Sequence, residues 1–69
     1  MNSVIEWKTG VPKKSGSYLI TTSKNDVLVS SYIYDFRDDR WYWLDSFDYP
    51  LTEYVIAWYP INEIEPYKE

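Results

Sequence analysis

The stretch VLVSSYIYDFRDDRWYWLD, residues 27–45, decides the fold. Its first ten residues alternate. Val27, Val29, Ser31, Ile33 and Asp35 project to one side of an extended chain, and Leu28, Ser30, Tyr32, Tyr34 and Phe36 to the other. A period of two, filled with β-branched and aromatic residues, marks a strand. RDDR at 37–40 then supplies turn chemistry, because aspartate tolerates tight-turn backbone and bonds to nearby amides. WYWLD returns, with Trp41 and Trp43 on one face and Tyr42 and Leu44 on the other. The segment predicts a β-hairpin.

The rest of the chain reads the same way. VIEWK, from Val4 to Lys8, is a short strand candidate, and the loop TGVPKKSG follows it. SYLITTS, from Ser17 to Ser23, is a second strand, and KND at 24–26 turns it into the hairpin above. SFDYPLTE at 46–53 is a longer connection with room for a turn of helix. EYVIAWY, from Glu53 to Tyr59, is the last strand, which Pro60 ends by withdrawing a ladder donor. The tail INEIEPYKE is acidic and expected to be extended. No apolar spacing suits a helix of any length. The prediction is an all-β single domain over 1–69. A small antiparallel meander would curl over one core as a half-barrel or SH3-like roll, with a short helix at 46–53 as a variation.

With 69 residues, the chain buries only about 60 % of its unfolded surface. Large side chains must make up the core, and 4 Trp, 8 Tyr and 2 Phe are available. Cys and His are both absent, which removes disulfides, thiolate metal sites, histidine catalysis and ordinary zinc chemistry from a single chain. A net charge of −4 opposes binding to a phosphate backbone, which needs clustered Lys and Arg. MNSVIEWKTG lacks a basic start followed by an apolar run, and no stretch approaches the roughly 20 apolar residues of a membrane helix. The expectation is a cytoplasmic protein that binds neither membrane nor nucleic acid directly, carries no cofactor and is not an enzyme.

Several fixed points then line up: Trp7, Pro12 with Gly16, Tyr18, Leu19 and Ile20 behind it, Trp41 and Trp43, and a closing Val55-Ile56-Ala57-Trp58-Tyr59-Pro60-Ile61. Over nearly the whole chain this resembles the family catalogued as domain of unknown function 551, found in bacteriophages and prophages. Members tend to begin with a Trp and a Pro-x-x-Gly-like turn and to close on Thr-His-Trp-Met-Pro-Leu-Pro. Ala57 stands where the family usually has His, and Asn62 where a second proline is common, so any role of that histidine is lost here. The resemblance implies phage origin and a β-rich domain, and no activity.

The candidate site lies within 35–50, which holds five aspartates and six aromatics. Asp35, Asp38, Asp39, Asp45 and Asp48, presented along one edge, would imitate a DNA strand, with one phosphate per roughly 3.4 Å. Trp41, Trp43 and Tyr49 beside them would supply contact energy, which interfaces concentrate in Trp, Tyr and Arg. Asp38, Asp39, Asp45 and Asp48 with these three aromatics are the expected partner-binding set, the partner being a host or phage protein, with inhibition of a CRISPR or restriction complex as the concrete form. The bland alternative is a polar outer face on which Arg37 and Arg40 pair locally, each pair contributing about 0–1 kcal/mol. A homodimer built on an aromatic sheet face, or a groove in which Trp58 and Pro60 hold a peptide, are the other readings. Asp45, Asp48 and Glu53 lack calcium-loop spacing, so no metal is expected. PKKSGS precedes a strand rather than a helix and reads as a solvated turn, not a phosphate loop.

Overall fold

The computed structural model describes residues 5–64 and 66–67. Four strands form one antiparallel sheet: β1 (Gly16–Thr22), β2 (Val27–Asp35), β3 (Arg40–Leu44) and β4 (Val55–Pro60). The all-β expectation is met. Of the expected opening strand, Val4 lies outside the described residues. Ile5–Trp7 join no strand, and Lys8 forms an isolated bridge to Trp58.

The strand order is β3-β2-β1-β4. The meander holds through β3. Then the chain crosses back so that β4 lies beside β1, which is a Greek-key order. The sheet is open, not curled into a half-barrel or SH3-like roll. Closure would require β3 to pair with β4, and these occupy opposite edges. Each edge is finished instead by a short outer segment: Lys8 exchanges two 2.9 Å backbone bonds with Trp58 of β4, and Leu51 donates to Trp43 of β3 at 2.8 Å. Residues 46–53 form bends and turns with no helix, while Ile61–Glu63, expected to be extended, form one 3₁₀ turn. Of the expected tail, Glu65, Lys68 and Glu69 lie outside the described residues.

Alternation sorts the side chains into two faces. Among the described residues Tyr18, Ile20 and Tyr32 form the buried hydrophobic cluster, with Leu28, Trp43, Leu51, Val55 and Trp58 packed around it. The rings form a linked cluster. Tyr18 meets Tyr32, Trp43 and Trp58 edge-on at centroid distances of 6.5, 5.7 and 5.3 Å. Tyr32 stacks on Trp41 at 5.0 Å. Such pairs add about 0.5–1.5 kcal/mol each beyond buried area. The two buried polar side chains are bonded within the fold: Ser30 donates to the Leu44 carbonyl at 2.7 Å, and Thr22 Oγ1 accepts from the Lys24 amide at 3.3 Å.

Two loops cover this face. One is the segment before β1: the Tyr18 hydroxyl donates to the Lys14 carbonyl at 2.8 Å, and Trp58 Nε1 donates to the Gly10 carbonyl at 3.1 Å. Gly10 sits at φ +79°, a conformation that suits glycine. The other loop joins β3 to β4 and inserts Leu51. The opposite face, with Leu19, Val27, Val29, Ile33 and Tyr59, carries no second layer among the described residues. Val27 and Val29 there are 58% and 59% exposed.

Candidate functional site

The β2–β3 hairpin is built as the alternation predicts. Asp35 pairs with Arg40, Tyr34 with Trp41 and Tyr32 with Trp43, so these four rings fall on the core face, while Tyr42, opposite Ile33, falls on the other. Toward the tip the core runs out. Trp43 is half-buried, Trp41 is 44% exposed, Tyr34 42% and Phe36 80%. The tip loop, Phe36–Asp39, closes with Asp39 at φ +54°, a left-handed conformation that Asp tolerates better than most residues.

Local hydrogen bonds hold the tip acids. Asp35 Oδ1 accepts from the Arg37 amide at 2.9 Å and from Arg37 Nε at 3.4 Å. The amide, helped by the guanidinium, holds the Asp35 carboxyl below its usual range. Tyr42 donates its hydroxyl to Asp38 Oδ2 at 2.9 Å, and Tyr34 donates to Asp39 Oδ1. Both bonds favour the neutral phenol and raise its pKa.

The expected partner-binding set therefore divides. Asp38, Asp39 and Trp41 gather at the tip, and Trp43 is packed into the core. Asp45, Asp48 and Tyr49 lie at the far end of β3. Asp39 and Asp45 are separated by six steps of extended chain, roughly 20 Å at about 3.3 Å per residue. Asp45 Oδ1 accepts from the Phe47 and Tyr49 amides at 2.9 and 3.0 Å, so its carboxylate shapes the loop. Asp48 holds φ +64° within the same turn. Tyr49 is exposed, as is Phe47 beside it. The tip adds Tyr34 and Phe36 to the residues singled out by composition. For Tyr34 the signal was present in the alternation, which carries the core face of β2 to its end; Phe36 follows in the turn and is 80% exposed.

A second concavity lies across the same end of the sheet. The segment before β1, the ends of β1 and β4 and the 3₁₀ turn enclose a cleft of about 830 Å³. Tyr18, Trp58 and Pro60 line it, with Lys8, Lys13 and Lys14 at its polar positions. Lys8 Nζ lies 5.7 Å from the Trp58 ring centroid and 4.0 Å from Glu63. The lysines of PKKSGS, read from sequence as a solvated turn, thus join a third lysine that only the Lys8–Trp58 bridge brings to them.

Among the described residues no group of three or more acidic side chains could hold a metal ion, and no helix is long and apolar enough to cross a membrane. No protein-family model, curated protein or solved structure matches the chain.

Proposed function

We propose that this chain is a non-enzymatic binding protein that engages another protein through the β2–β3 hairpin tip. The observation that carries the reading is the exposure of Tyr34, Phe36 and Trp41 at the tip, with Asp39 bonded to Tyr34 and Asp38 in the same turn. Aromatics flanked by charge are the composition of interface hot spots. A host protein as the partner, with a host defence complex as the concrete form, rests on the resemblance of Trp7, Pro12, Gly16 and the Trp58-Tyr59-Pro60 close to a phage-borne family. Extended imitation of DNA draws less support from the geometry, since Asp35, Asp38 and Asp39 lie at the tip, Asp45 and Asp48 at the far end of β3, and four of the five accept bonds within the fold.

Affinity capture from bacterial lysate tests the reading. Trp41→Ala is expected to weaken capture by 2 kcal/mol or more, as hot-spot truncation does. Because Trp41 also stacks on Tyr32, Phe36→Ala is the companion variant, its ring standing clear of the core. Full recovery of the same partner by folded Phe36→Ala and Trp41→Ala proteins rejects the tip as the interface.

A second reading, a homodimer, is favoured by the uncovered sheet face with Val27 and Val29 exposed side by side. Domains ordinarily bury a sheet face against another layer, and a second copy would provide it.

A further inference from the structure

We infer that the cleft between the segment before β1 and the ends of β1 and β4 is a docking site for an extended acidic peptide. It is a second surface, independent of the hairpin tip. The chain carries 7 basic residues against 11 acidic ones, yet three of the seven line this one cleft. Of the other described cations, Lys24 pairs with Glu53 at 3.3 Å and Arg37 with Asp35 at 3.4 Å, while Arg40 opens β3 outside the cleft lining; within the cleft Lys8 lies 4.0 Å from Glu63. Lys13 and Lys14 make no ion pair among the described residues and are exposed.

The shape of the lining selects the occupant. The ammonium groups come from separate backbones, Lys8 from the β4 edge bridge and Lys13 and Lys14 from the loop. They border an apolar floor that includes Val11, Trp58, Pro60 and Ile61. Spaced cations around an apolar floor match a chain that alternates carboxylates with apolar side chains. A phosphate group fits less well. No arginine lines the cleft to grip it bidentately. The Trp58 indole is already engaged by Tyr18 and Lys8, so it offers no open platform for a nucleobase to stack on. Charge complementarity of this kind governs the rate and register of encounter, and it weakens with salt.

The test is fluorescence anisotropy on the whole chain with four probes: a labelled peptide alternating glutamate and leucine, its glutamine counterpart, inorganic phosphate as competitor, and a labelled oligo-dT. Saturable, salt-sensitive binding of the glutamate peptide, with none of the glutamine peptide, is expected. Lys13→Glu/Lys14→Glu should weaken that binding by about tenfold or more, the equivalent of about 1.4 kcal/mol. Lys24→Gln, at the opposite end of β1, should leave it unchanged. The lysines are exposed, so these variants are expected to fold. Four results overturn the inference: no saturation by the glutamate peptide, equal binding by the Lys13→Glu/Lys14→Glu protein, displacement by phosphate or preference for oligo-dT, or loss of binding in Phe36→Ala, which would move the contact to the tip.

Discussion

At the residue scale, the tyrosines of the hairpin tie its acids to the fold. Tyr34 and Tyr42 donate to Asp39 and Asp38, and their pKa values rise for that reason; Tyr32 rises through burial and the nearby Tyr18. A raised phenol pKa means that the stabilisation is fully present below the unfolded value of about 10 and is lost as pH climbs through the folded one. Asp35 has the opposite sign. Its carboxyl is held low by the Arg37 amide, so its contribution is present above about pH 4 and is lost as pH falls through the lowered folded value. The tip should therefore hold across neutral pH and loosen at both extremes. Followed by phenolate absorbance, Tyr34 and Tyr42 should ionise above the ordinary phenol range. Asp38→Asn and Asp39→Asn should each bring one tyrosine back toward ordinary behaviour. A titration unaltered by either substitution would show that these bonds do not persist in solution.

At the element scale, the β1–β2 turn depends on Asn25, which sits at φ +64° and donates its amide to the Thr22 carbonyl at 2.9 Å. A β-branched residue resists that conformation, which costs roughly 1–2 kcal/mol for an ordinary side chain. Asn25→Val should lower the denaturation midpoint accordingly, and Asn25→Gly should be close to neutral, measured by urea unfolding. The turns, the all-β class and the two-faced character of β2 and β3 were all legible in the sequence, because each rests on local alternation or local turn chemistry. The position of β4 was not. Its register against β1 shifts between Thr21 and Thr22, so that Val55 opposes Thr22 while Ala57 opposes Thr21, leaving Ile56 as the extra residue. Val55 and Trp58 consequently both face the core, at a spacing strict alternation would divide. A bulge depends on the neighbouring strand and leaves no mark in the strand's own pattern. The lysine cleft escaped for a related reason: Lys8 reaches Lys13 and Lys14 only because Lys8 is bridged to a residue fifty positions later. The tip acids were recognised as a cluster, but composition could not say that five extended residues of β3 would part Asp38 and Asp39 from Asp45 and Asp48.

At the scale of the whole molecule, one sheet with two covering loops leaves little interior. The radius of gyration is 12.9 Å, against roughly 11 Å for a compact domain of this length. The uncovered face is where a second copy would gain most. If it does, the midpoint of thermal unfolding should rise with protein concentration, because association stabilises by mass action. Val29→Lys should abolish that dependence, and light scattering should then report monomer. A wild-type protein that scatters as monomer, with a concentration-independent midpoint, argues against the dimer. Loss of the concentration dependence in Val29→Lys would leave partner capture by the tip intact, since Val29 faces away from Tyr34 and Trp41.

The two edges of the sheet bear on how such a chain avoids fibrils. Exposed strands present rows of unpaired amides and carbonyls onto which further chains add without limit. Here the outward bonds of β4 at Trp58 are taken by Lys8, and the next outward position on that strand is Pro60, which has no amide to offer. On the other side β3 meets the segment containing Pro50 through the Leu44–Pro50 bridge. An incoming strand thus finds a proline at either border. Pro60, read from sequence as the end of the last strand, and Pro50 serve as barriers to endless sheet growth, and Pro50→Ala or Pro60→Ala would be expected to lengthen the templating edge before altering the fold within it.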